Sequence, residues 1–409
     1  MLNSTGCTTC KLYKKNNQAR FMKKKSYAMN ESIVGMFWFA LYLTGALFAV
    51  SAYGQETVET EKKLSWYGDL RLRYEADFDS EKADGAERDD RHRGRIRARV
   101  GLNYQASESL KFGARLRTGN SRSQQSPHLS FVNDQGASDD ELDFVLDKLF
   151  VDYSRERYHA WAGRNSFPFW KQNELFWDDD VTPTGAAAGF TSDTVGNLTA
   201  TVGVFALPDG GYDLHGQMAA GQLKYSVDLA EDILFTGAAG LFCTGGDGGA
   251  TNLRNGNGDR EYSVGAANFQ LRCRLGGVPI AFGSDFYHNF KDYDSDSSDP
   301  FTAKHHDQDY GYVLSAVAGK LKEPGDWLLG YYYANIETLA VNASFAQDDW
   351  FRFGGKNGQT DSSDFRGHEI RLAYALRENL NLVSRLYMVD TISSGQDGNR
   401  FRMDLNWAF

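Results

Sequence analysis

Long stretches of the chain alternate between apolar and polar residues with a period of two. One face of segment 65–76 holds Trp66, Gly68, Leu70, Leu72, Tyr74 and Ala76, and the other holds Tyr67, Asp69, Arg71, Arg73 and Glu75. Segments 93–105 and 110–119 repeat the pattern, with an arginine at every second position from Arg93 to Arg99. Successive side chains of a β-strand point to opposite faces, so each segment is predicted to form a strand with one apolar and one charged surface.

The same alternation continues along the chain and predicts sixteen strands. They are expected at 65–76, 93–105, 110–119, 143–154, 157–164, 184–191, 197–207, 215–228, 232–243, 261–274, 278–290, 309–321, 326–338, 365–376, 380–391 and 400–409. About ten residues, tilted by about 40°, span about 25 Å, the height of the apolar band of an outer-membrane barrel. The predicted fold is all-β: a transmembrane antiparallel β-barrel of about sixteen strands.

The connections between the predicted strands alternate in length. Short turns are expected at 106–109, 154–156, 230–231, 276–277, 322–325 and 377–379, and long loops at 77–92, 120–142, 165–183, 244–260, 291–308 and 339–364. Outer-membrane barrels have short periplasmic turns and long external loops. All 7 prolines lie in connections or at a strand edge, as expected for a residue that cannot donate to a β-ladder.

Residues 1–54 are predicted to form an N-terminal extension and a cleaved signal peptide. A basic stretch at 23–25 precedes an apolar run at 33–50, and Ala52 and Gly54 place small residues before a cleavage site at Gln55. An uncleaved anchor helix is the alternative. Residues 55–64 would then be a short periplasmic lead and residues 65–409 the barrel. The predicted location is the outer membrane of a Gram-negative bacterium.

Composition and charge narrow the class further. Aromatic residues make up 14% of the 409 residues, which argues against a disordered chain. The net charge is −10, and the segment 55–409 alone carries −16, which argues against a nucleic-acid partner. That segment keeps only Cys243 and Cys273, on neighbouring strands but at opposite ends, so no disulfide is expected.

Several motifs in segment 65–190 carry a family resemblance. They are Gly68-Asp-Leu-Arg-Leu-Arg-Tyr-Glu75, Arg95-Ile-Arg-Ala-Arg-Val-Gly-Leu102, Asp147-Lys-Leu-Phe-Val-Asp-Tyr153, Ala162-Gly-Arg-Asn165, Phe167-Pro-Phe169, Glu174-Leu175 and Trp177-Asp-Asp-Asp180. Together they resemble the bacterial putative-porin family of outer-membrane β-barrels. The opening motif also resembles the alginate-export barrels, but the acidic stretch after Trp177 favours the porins. The Pro-Glu-Phe-Gly-Gly signature of general diffusion porins does not occur, so their loop geometry is not carried over.

If the apolar faces meet lipid, the charged faces line the lumen of the barrel. The predicted basic wall consists of Arg71, Arg73, Arg93, Arg95, Arg97, Arg99, Lys111, Arg115, Arg117, Arg371, Arg385, Arg400 and Arg402. Barrel closure would join the first three strands to the last three and make the wall continuous. Dense like charges require water or carboxylates around them. We expect water in a wide lumen to supply most of the charge compensation. Neutralised ion pairs are the alternative.

The loop at 165–183 is too apolar to lie free in water. It also carries four carboxylates, Glu174, Asp178, Asp179 and Asp180. Folding into the lumen would bury its aromatic residues and set these carboxylates opposite the basic wall. Opposed charges at such a constriction create a transverse field that filters polar solutes. The alternative is a loop that packs over the rim of the barrel.

Three further motifs concern metals and assembly. Asp292, Asp294 and Asp296 form a weak calcium candidate, because they lack the glycine and the distant glutamate of an EF-hand loop. His305 and His306 are a weaker metal candidate still. The last predicted strand alternates through Leu405, Trp407 and Phe409, and it resembles the terminal strand by which outer-membrane barrels are recognised for assembly; a core strand is the alternative.

The predicted function is that of an outer-membrane porin. Small hydrophilic, anionic solutes would diffuse passively through a basic-lined lumen, without a cofactor or any chemical step. An outer-membrane exporter of an anionic polysaccharide is the alternative. A hydrolase is disfavoured because His159 and His368 have no nucleophile motif beside them. The expected partners are membrane lipid, the barrel-assembly machinery and small polar solutes, with a homotrimer left open.

Overall fold

The computed structural model describes residues 63–120, 125–135, 143–194, 196–208, 214–246, 253–351 and 362–409. The predicted signal peptide, its cleavage site and most of the periplasmic lead lie outside these residues. Within the described ranges, no helix is long and apolar enough to cross a membrane.

The described chain consists almost entirely of β-strands. They are β1 Leu64–Phe78, β2 Ser80–Glu81, β3 Glu87–Arg88, β4 Arg91–Gln105, β5 Leu110–Thr118, β6 Leu129–Asn133, β7 Phe144–Arg155, β8 Tyr158–Arg164, β9 Thr184–Ser192, β10 Asn197–Pro208, β11 Leu214–Ala230, β12 Ile233–Gly245, β13 Tyr262–Leu275, β14 Val278–Asn289, β15 Tyr310–Gly319, β16 Trp327–Ile336, β17 Phe365–Arg377, β18 Leu380–Thr391 and β19 Asp397–Ala408. One short helix, α1, spans Pro300–His305, and one turn of 3₁₀ helix spans Arg254–Gly256.

Sixteen of these strands form a closed antiparallel ring. The order is β1, β4, β5, β7 and then β8 to β19 in sequence, and β19 pairs with β1 to close the barrel. Every predicted strand is present, and the predicted barrel is confirmed. Three short strands were not predicted: β2 pairs with β3 in a small hairpin, and β6 pairs with β4 beyond the end of β5.

The closing seam is a regular ladder on both sides of β1. Leu72 lies opposite Ile96 on β4 and Leu405 on β19. Gly68 and Phe409 exchange two backbone hydrogen bonds of 3.0 Å each. A Cβ atom at Gly68 would lie 2.5 Å from both the Arg99 carbonyl oxygen and the Phe409 ring. Glycine at this position therefore lets the terminal aromatic residue approach the first strand.

The outer face of the barrel is apolar and exposed. Large side chains such as Trp66, Val202, Leu223 and Leu372 point outward along their strands. An apolar exterior in a barrel of this height fits a surrounding of lipid. Cys243 and Cys273 lie at opposite ends of β12 and β13, and both are free thiols.

The inner face divides into two regions of different chemistry. The charged half comprises the inner faces of β1, β4, β5, β7 and β17–β19, where most side chains are ionic. The aromatic half comprises the inner faces of β8–β16. Its buried side chains include Trp161, Phe205, Phe242, Val264, Tyr287, Val313 and Tyr332. The two halves share one interior, so whatever passes through the barrel passes between them.

Candidate functional site

The charged half contains all of the basic residues that were predicted to line the lumen. Arg71 and Arg73 lie on β1, four arginines from Arg93 to Arg99 on β4, and the remaining seven on β5 and β17–β19. Barrel closure joins groups that are distant in sequence. The Nε atom of Arg71 donates to Asn406 Oδ1 at 2.6 Å, and Nε of Arg73 donates to Asp404 Oδ1 at 2.7 Å. The predicted wall is thus assembled from both ends of the barrel sequence.

Carboxylates form ion pairs with most of the basic side chains on this wall. The pairs include Asp69–Arg97 at 2.8 Å, Asp69–Arg99 at 2.6 Å, Asp77–Arg400 at 2.7 Å, Asp147–Arg115 at 2.6 Å, Glu369–Arg371 at 2.6 Å and Asp404–Arg385 at 2.9 Å. Glu75 accepts hydrogen bonds from Arg93. The expectation that water would supply most of the compensation is therefore wrong for the arginines in these pairs, because neighbouring strands place a carboxylate beside them.

The loop between β8 and β9, residues 165–183, folds against the inner wall; we call it the third loop. Its Phe167 and Trp177 rings stack at 4.5 Å, and Phe176 stacks on Tyr287 of β14 at 5.4 Å. Phe169 meets Phe242 of β12 edge-on at 5.1 Å. The apolar residues of the third loop are thus buried against the aromatic half of the lumen. The loop does not pack over the rim of the barrel, which was the alternative.

Hydrogen bonds to buried polar side chains fix the third loop in this position. The amide side chain of Gln222 accepts from the Trp170 N–H at 2.8 Å and donates to the Trp170 carbonyl at 2.9 Å. Asp285 of β14 accepts from the side chains of Gln172 at 2.8 Å and Asn173 at 2.5 Å. These contacts satisfy polar groups that would otherwise be buried without partners, so they also specify where the loop lies.

The four predicted constriction acids occupy different environments. Asp180 crosses to the charged half, where it accepts from Arg99 at 2.8 Å and from Arg97 at 3.3 Å. Burial alone would raise its pKa, but the two guanidinium groups lower it to about 2. Asp179 pairs with Lys171 at 2.6 Å instead. One of the four carboxylates therefore touches the basic wall directly.

The other two acids, Glu174 and Asp178, form no ion pair among the described residues. Asp178 is buried, and its Oδ1 accepts from the Asp180 N–H at 2.7 Å. Glu174 Oε2 accepts from the Asp179 N–H at 3.1 Å. Burial, followed by repulsion from Glu174, raises the pKa of Asp178 well above its ordinary value. Burial and repulsion from Asp179 raise the pKa of Glu174 as well.

A second infolded loop was not predicted. In the seventh loop, residues 339–364, the described segment 339–351 is buried inside the barrel. Its backbone joins the third loop through Asp178 N–H to Phe345 O at 2.8 Å and Gln347 N–H to Glu174 O at 2.9 Å. Asp349 pairs with Arg402 and, at 3.4 Å, with Arg73. The apolar run from Leu339 to Ala346 was a signal for this burial, of the same kind as the aromatic residues of the third loop.

Two cavities remain between the infolded loops and the wall. The smaller, of about 100 Å³, has Arg71, Arg73, Arg97, Arg99 and Arg385 on one side and the four acids of the third loop with Asp349 on the other. The larger, of about 350 Å³, is lined by aromatic residues such as Phe169, Tyr332 and Trp350 together with Glu369 and Arg371. Glu174, Asp179 and Gln347 line both cavities, which are therefore adjacent.

The weak metal candidates are not assembled. Asp292, Asp294 and Asp296 are exposed, and nowhere in the described ranges do three or more acidic, histidine or cysteine side chains converge on a site that could hold a metal ion. His305 bonds to Gln308 at 3.0 Å and His306 to the Ala303 carbonyl at 3.1 Å.

Known proteins resemble this chain in both sequence and fold. A family model described as "Putative porin" matches residues 85–241. This confirms the resemblance carried by the motifs of segment 65–190. None of the curated protein sequences matches the chain.

Solved porin structures share the fold. OprB of Pseudomonas putida superposes with a TM-score of 0.55 at 12% identity, over 85% of this chain and 95% of that one. OmpF of Salmonella typhi, in a complex with daunomycin, superposes with a TM-score of 0.50 at 13% identity, over 85% and 97% of the two chains. At these identities the likeness shows the barrel fold. Family and fold together support an outer-membrane porin channel in a Gram-negative bacterium.

Proposed function

We propose that this porin lets small hydrophilic solutes, preferentially anions, diffuse passively through its lumen. The observation that carries the proposal is the contact of Asp180 with Arg97 and Arg99, because it sets an infolded loop against the basic wall. Solutes must then pass where the charged half faces the third and seventh loops. Fixed charges at such a narrow point act on permeating ions more strongly than charges in the vestibules do.

The preference for anions rests on which charges remain uncompensated. Arg71 forms no ion pair among the described residues, and its Nε donates to a neutral amide. Glu174 and Asp178 face it across the smaller cavity, but their raised pKa values reduce their negative charge. Acidic external loops are screened over about 8 Å at physiological salt, so they act mainly on the vestibule. The constriction therefore favours anions although segment 55–409 carries −16.

Passive diffusion of small solutes fits the size of the remaining spaces. Cavities of about 100 and 350 Å³ suit small molecules rather than a polymer strand. No contact among the described residues favours export of an anionic polysaccharide. We propose a channel without a chemical step.

Planar-bilayer recording of the purified barrel tests this proposal. We expect discrete conductance steps that scale with salt concentration, and a reversal potential in a salt gradient that corresponds to anion preference. Conductance with cation preference would contradict the proposed selectivity. A barrel that inserts, as judged by heat-modifiable mobility, but never conducts would contradict the channel itself.

We also propose that the barrel forms a homotrimer. β8 has 7 residues and spans only about 18 Å, less than the apolar band of about 25 Å. The outer face of β8–β11 beside it forms a shallow apolar depression floored by alanine and glycine, with a volume of about 940 Å³. Neighbouring copies in a homotrimer would cover this low part of the wall. Native mass spectrometry in detergent distinguishes a trimer from a monomer.

The terminal residues Leu405, Trp407 and Phe409 are proposed as the assembly signal. Phe409 closes the seam through its two hydrogen bonds with Gly68, each contributing about 1 kcal/mol. Deletion of Phe409 is expected to lower the yield of heat-modifiable barrel without changing the conductance of the barrels that form. An unchanged yield would contradict this role.

A further inference from the structure

The smaller cavity is lined by groups of both signs that form no ion pair among the described residues. Arg71, on its basic side, has no carboxylate partner among the described residues, whereas Arg73, Arg97, Arg99 and Arg385 are all paired. On its acidic side, Glu174 and Asp178 form no ion pair among those residues, and the nearby Lys171 pairs with Asp179 at 2.6 Å. Charged groups without an ion-pair partner are costly in a small, enclosed space. A solute that carries both an anionic and a cationic group, and contacts both sides of the cavity at once, would therefore be stabilised there.

A buried histidine supports a ligand at this place. His128 lines the same cavity and is only 7% exposed, and neither of its ring nitrogens has a hydrogen-bond partner among the described residues. Burial and the neighbouring arginines lower its pKa well below the ordinary value, so the ring is neutral, with one N–H donor and one acceptor nitrogen. A buried polar group without a partner is rare in folded proteins and calls for a ligand or solvent.

We propose that the smaller cavity binds the ammonium and carboxylate groups of a small zwitterion of the α-amino-acid type, and that this porin therefore conducts such solutes in preference to simple anions of equal size. This inference rests on the proposed channel function. The carboxylate would accept from Arg71 and from the N–H of His128. The ammonium would donate to Glu174 and Asp178.

The dimensions of the two cavities fit this class of solute. About 100 Å³ holds about three water molecules, which is also room for an ammonium and a carboxylate joined by one carbon. The adjoining cavity of about 350 Å³ shares Glu174 and Gln347 with it and can take a side chain. A solute with only one charge would leave one side of the smaller cavity without an ion-pair partner. Two charge-assisted contacts at a fixed separation also give specificity that a single charge cannot give.

The raised pKa values of the two acids agree with an unfilled cationic position. The pKa values of Glu174 and Asp178 are raised because each carboxyl is buried and lies near another carboxylate. An incoming ammonium group favours the ionised carboxylates and supplies the missing counter-charge. Within the described part of the wall, no residue neutralises these two acids, so the solute does not have to break an existing ion pair.

Four solutes of nearly equal size test the inference in the full-length barrel. Alanine carries both charges, lactate only the negative one, alaninamide only the positive one, and lactamide neither. Each is added during planar-bilayer recording, and the concentration that halves the ion current is measured. We expect alanine to act at a concentration at least about tenfold lower than each analogue. Equal effects of all four solutes on a conducting channel would overturn the zwitterion site and leave the channel proposal standing.

Variants separate the two sides of the site. Arg71→Gln is expected to raise the half-blocking concentration of alanine about tenfold, to the value for alaninamide. Glu174→Gln combined with Asp178→Asn is expected to reduce alanine to the value for lactate. The amide introduced by Asp178→Asn keeps an oxygen that can accept from the Asp180 N–H, so this pair of changes preserves the loop contact.

The matched control is Arg157→Gln at an exposed turn. It removes one guanidinium group, as Arg71→Gln does, but outside the lumen. It should therefore leave the order of the four solutes unchanged. Retained discrimination in both site variants would overturn the assignment.

Discussion

The charged and the aromatic halves of the lumen arise from the same alternating strands but are stabilised in opposite ways. In the charged half, partners come from adjacent strands, and Asp404 alone contacts Arg73, Arg385 and Arg402. In the aromatic half, contacts between strands such as Trp161 with Phe205 at 5.8 Å are supplemented by two loops that fold inward and cover the surface. The comparison shows that a barrel interior of this size requires either ionic pairing or a loop to fill it.

The functional consequence of this difference is an asymmetric constriction. The infolded loops bring carboxylates and aromatic rings to one side, while the opposite side remains a wall of guanidinium groups. Neither half creates this arrangement without the other. The aromatic half holds the loops in place, and the charged half provides the field that the loop acids face.

The largest expected effect is the loss of Asp404 in the charged half. Asp404→Asn removes the charge that Arg385 and the buried Arg73 and Arg402 share, and we expect a destabilisation of about 3–5 kcal/mol. Urea titration followed by heat-modifiable mobility measures it. Asp193→Asn removes one side of an exposed pair with Arg157 and is expected to change stability by less than about 1 kcal/mol. Similar effects of the two changes would contradict the structural role of the ionic network.

The next effect concerns the loop that covers the aromatic half. Trp177→Ala removes a ring that stacks on Phe167 at 4.5 Å and on Phe345 at 5.3 Å, at a cost of about 3 kcal/mol to the folded loop. The third loop should then leave the lumen part of the time, so single-channel conductance should rise and fluctuate. Trp66→Ala, on the outer face, is the control and should leave conductance unchanged. A steady wild-type conductance in Trp177→Ala would mean that the loop does not limit the passage.

A smaller effect is expected from pH. Burial and a neighbouring carboxylate raise the pKa values of Glu174 and Asp178, and in the seventh loop burial and Asp349 raise the pKa of Asp348 to about 6. Because these pKa values are raised, Asp348 binds a proton as pH falls through about 6, and Glu174 and Asp178 bind protons at a higher pH than ordinary carboxyl groups do. The loops then lose negative charge while the arginines keep their positive charge. The reversal potential should therefore move further toward anions in mild acid. The triple variant Glu174→Gln, Asp178→Asn, Asp348→Asn should show a flatter dependence, and an equal dependence would exclude these groups.

The sequence predicted the strands and the composition of the wall well, because both follow from a period of two that is local. The sequence predicted less about which side chains contact one another across strands and loops. Asp147 was read as part of a family motif, yet its contact with Arg115 depends on a shift in the register between β5 and β7. The burial of Asp349 depends on a loop that crosses the lumen after closure. Nothing in the sequence pointed to His128, because the lack of hydrogen-bond partners for its ring nitrogens arises only in the assembled cavity.

The most direct test of the central claim, that two charged faces oppose each other at one constriction, is a pair of reversal potentials. In the same salt gradient, Arg71→Gln should move the potential toward cations, and Glu174→Gln should move it toward anions. Arg157→Gln should leave it at the wild-type value, because that side chain is exposed outside the lumen. Shifts of both variants in the same direction, or potentials equal to wild type in channels that still conduct, would contradict the account.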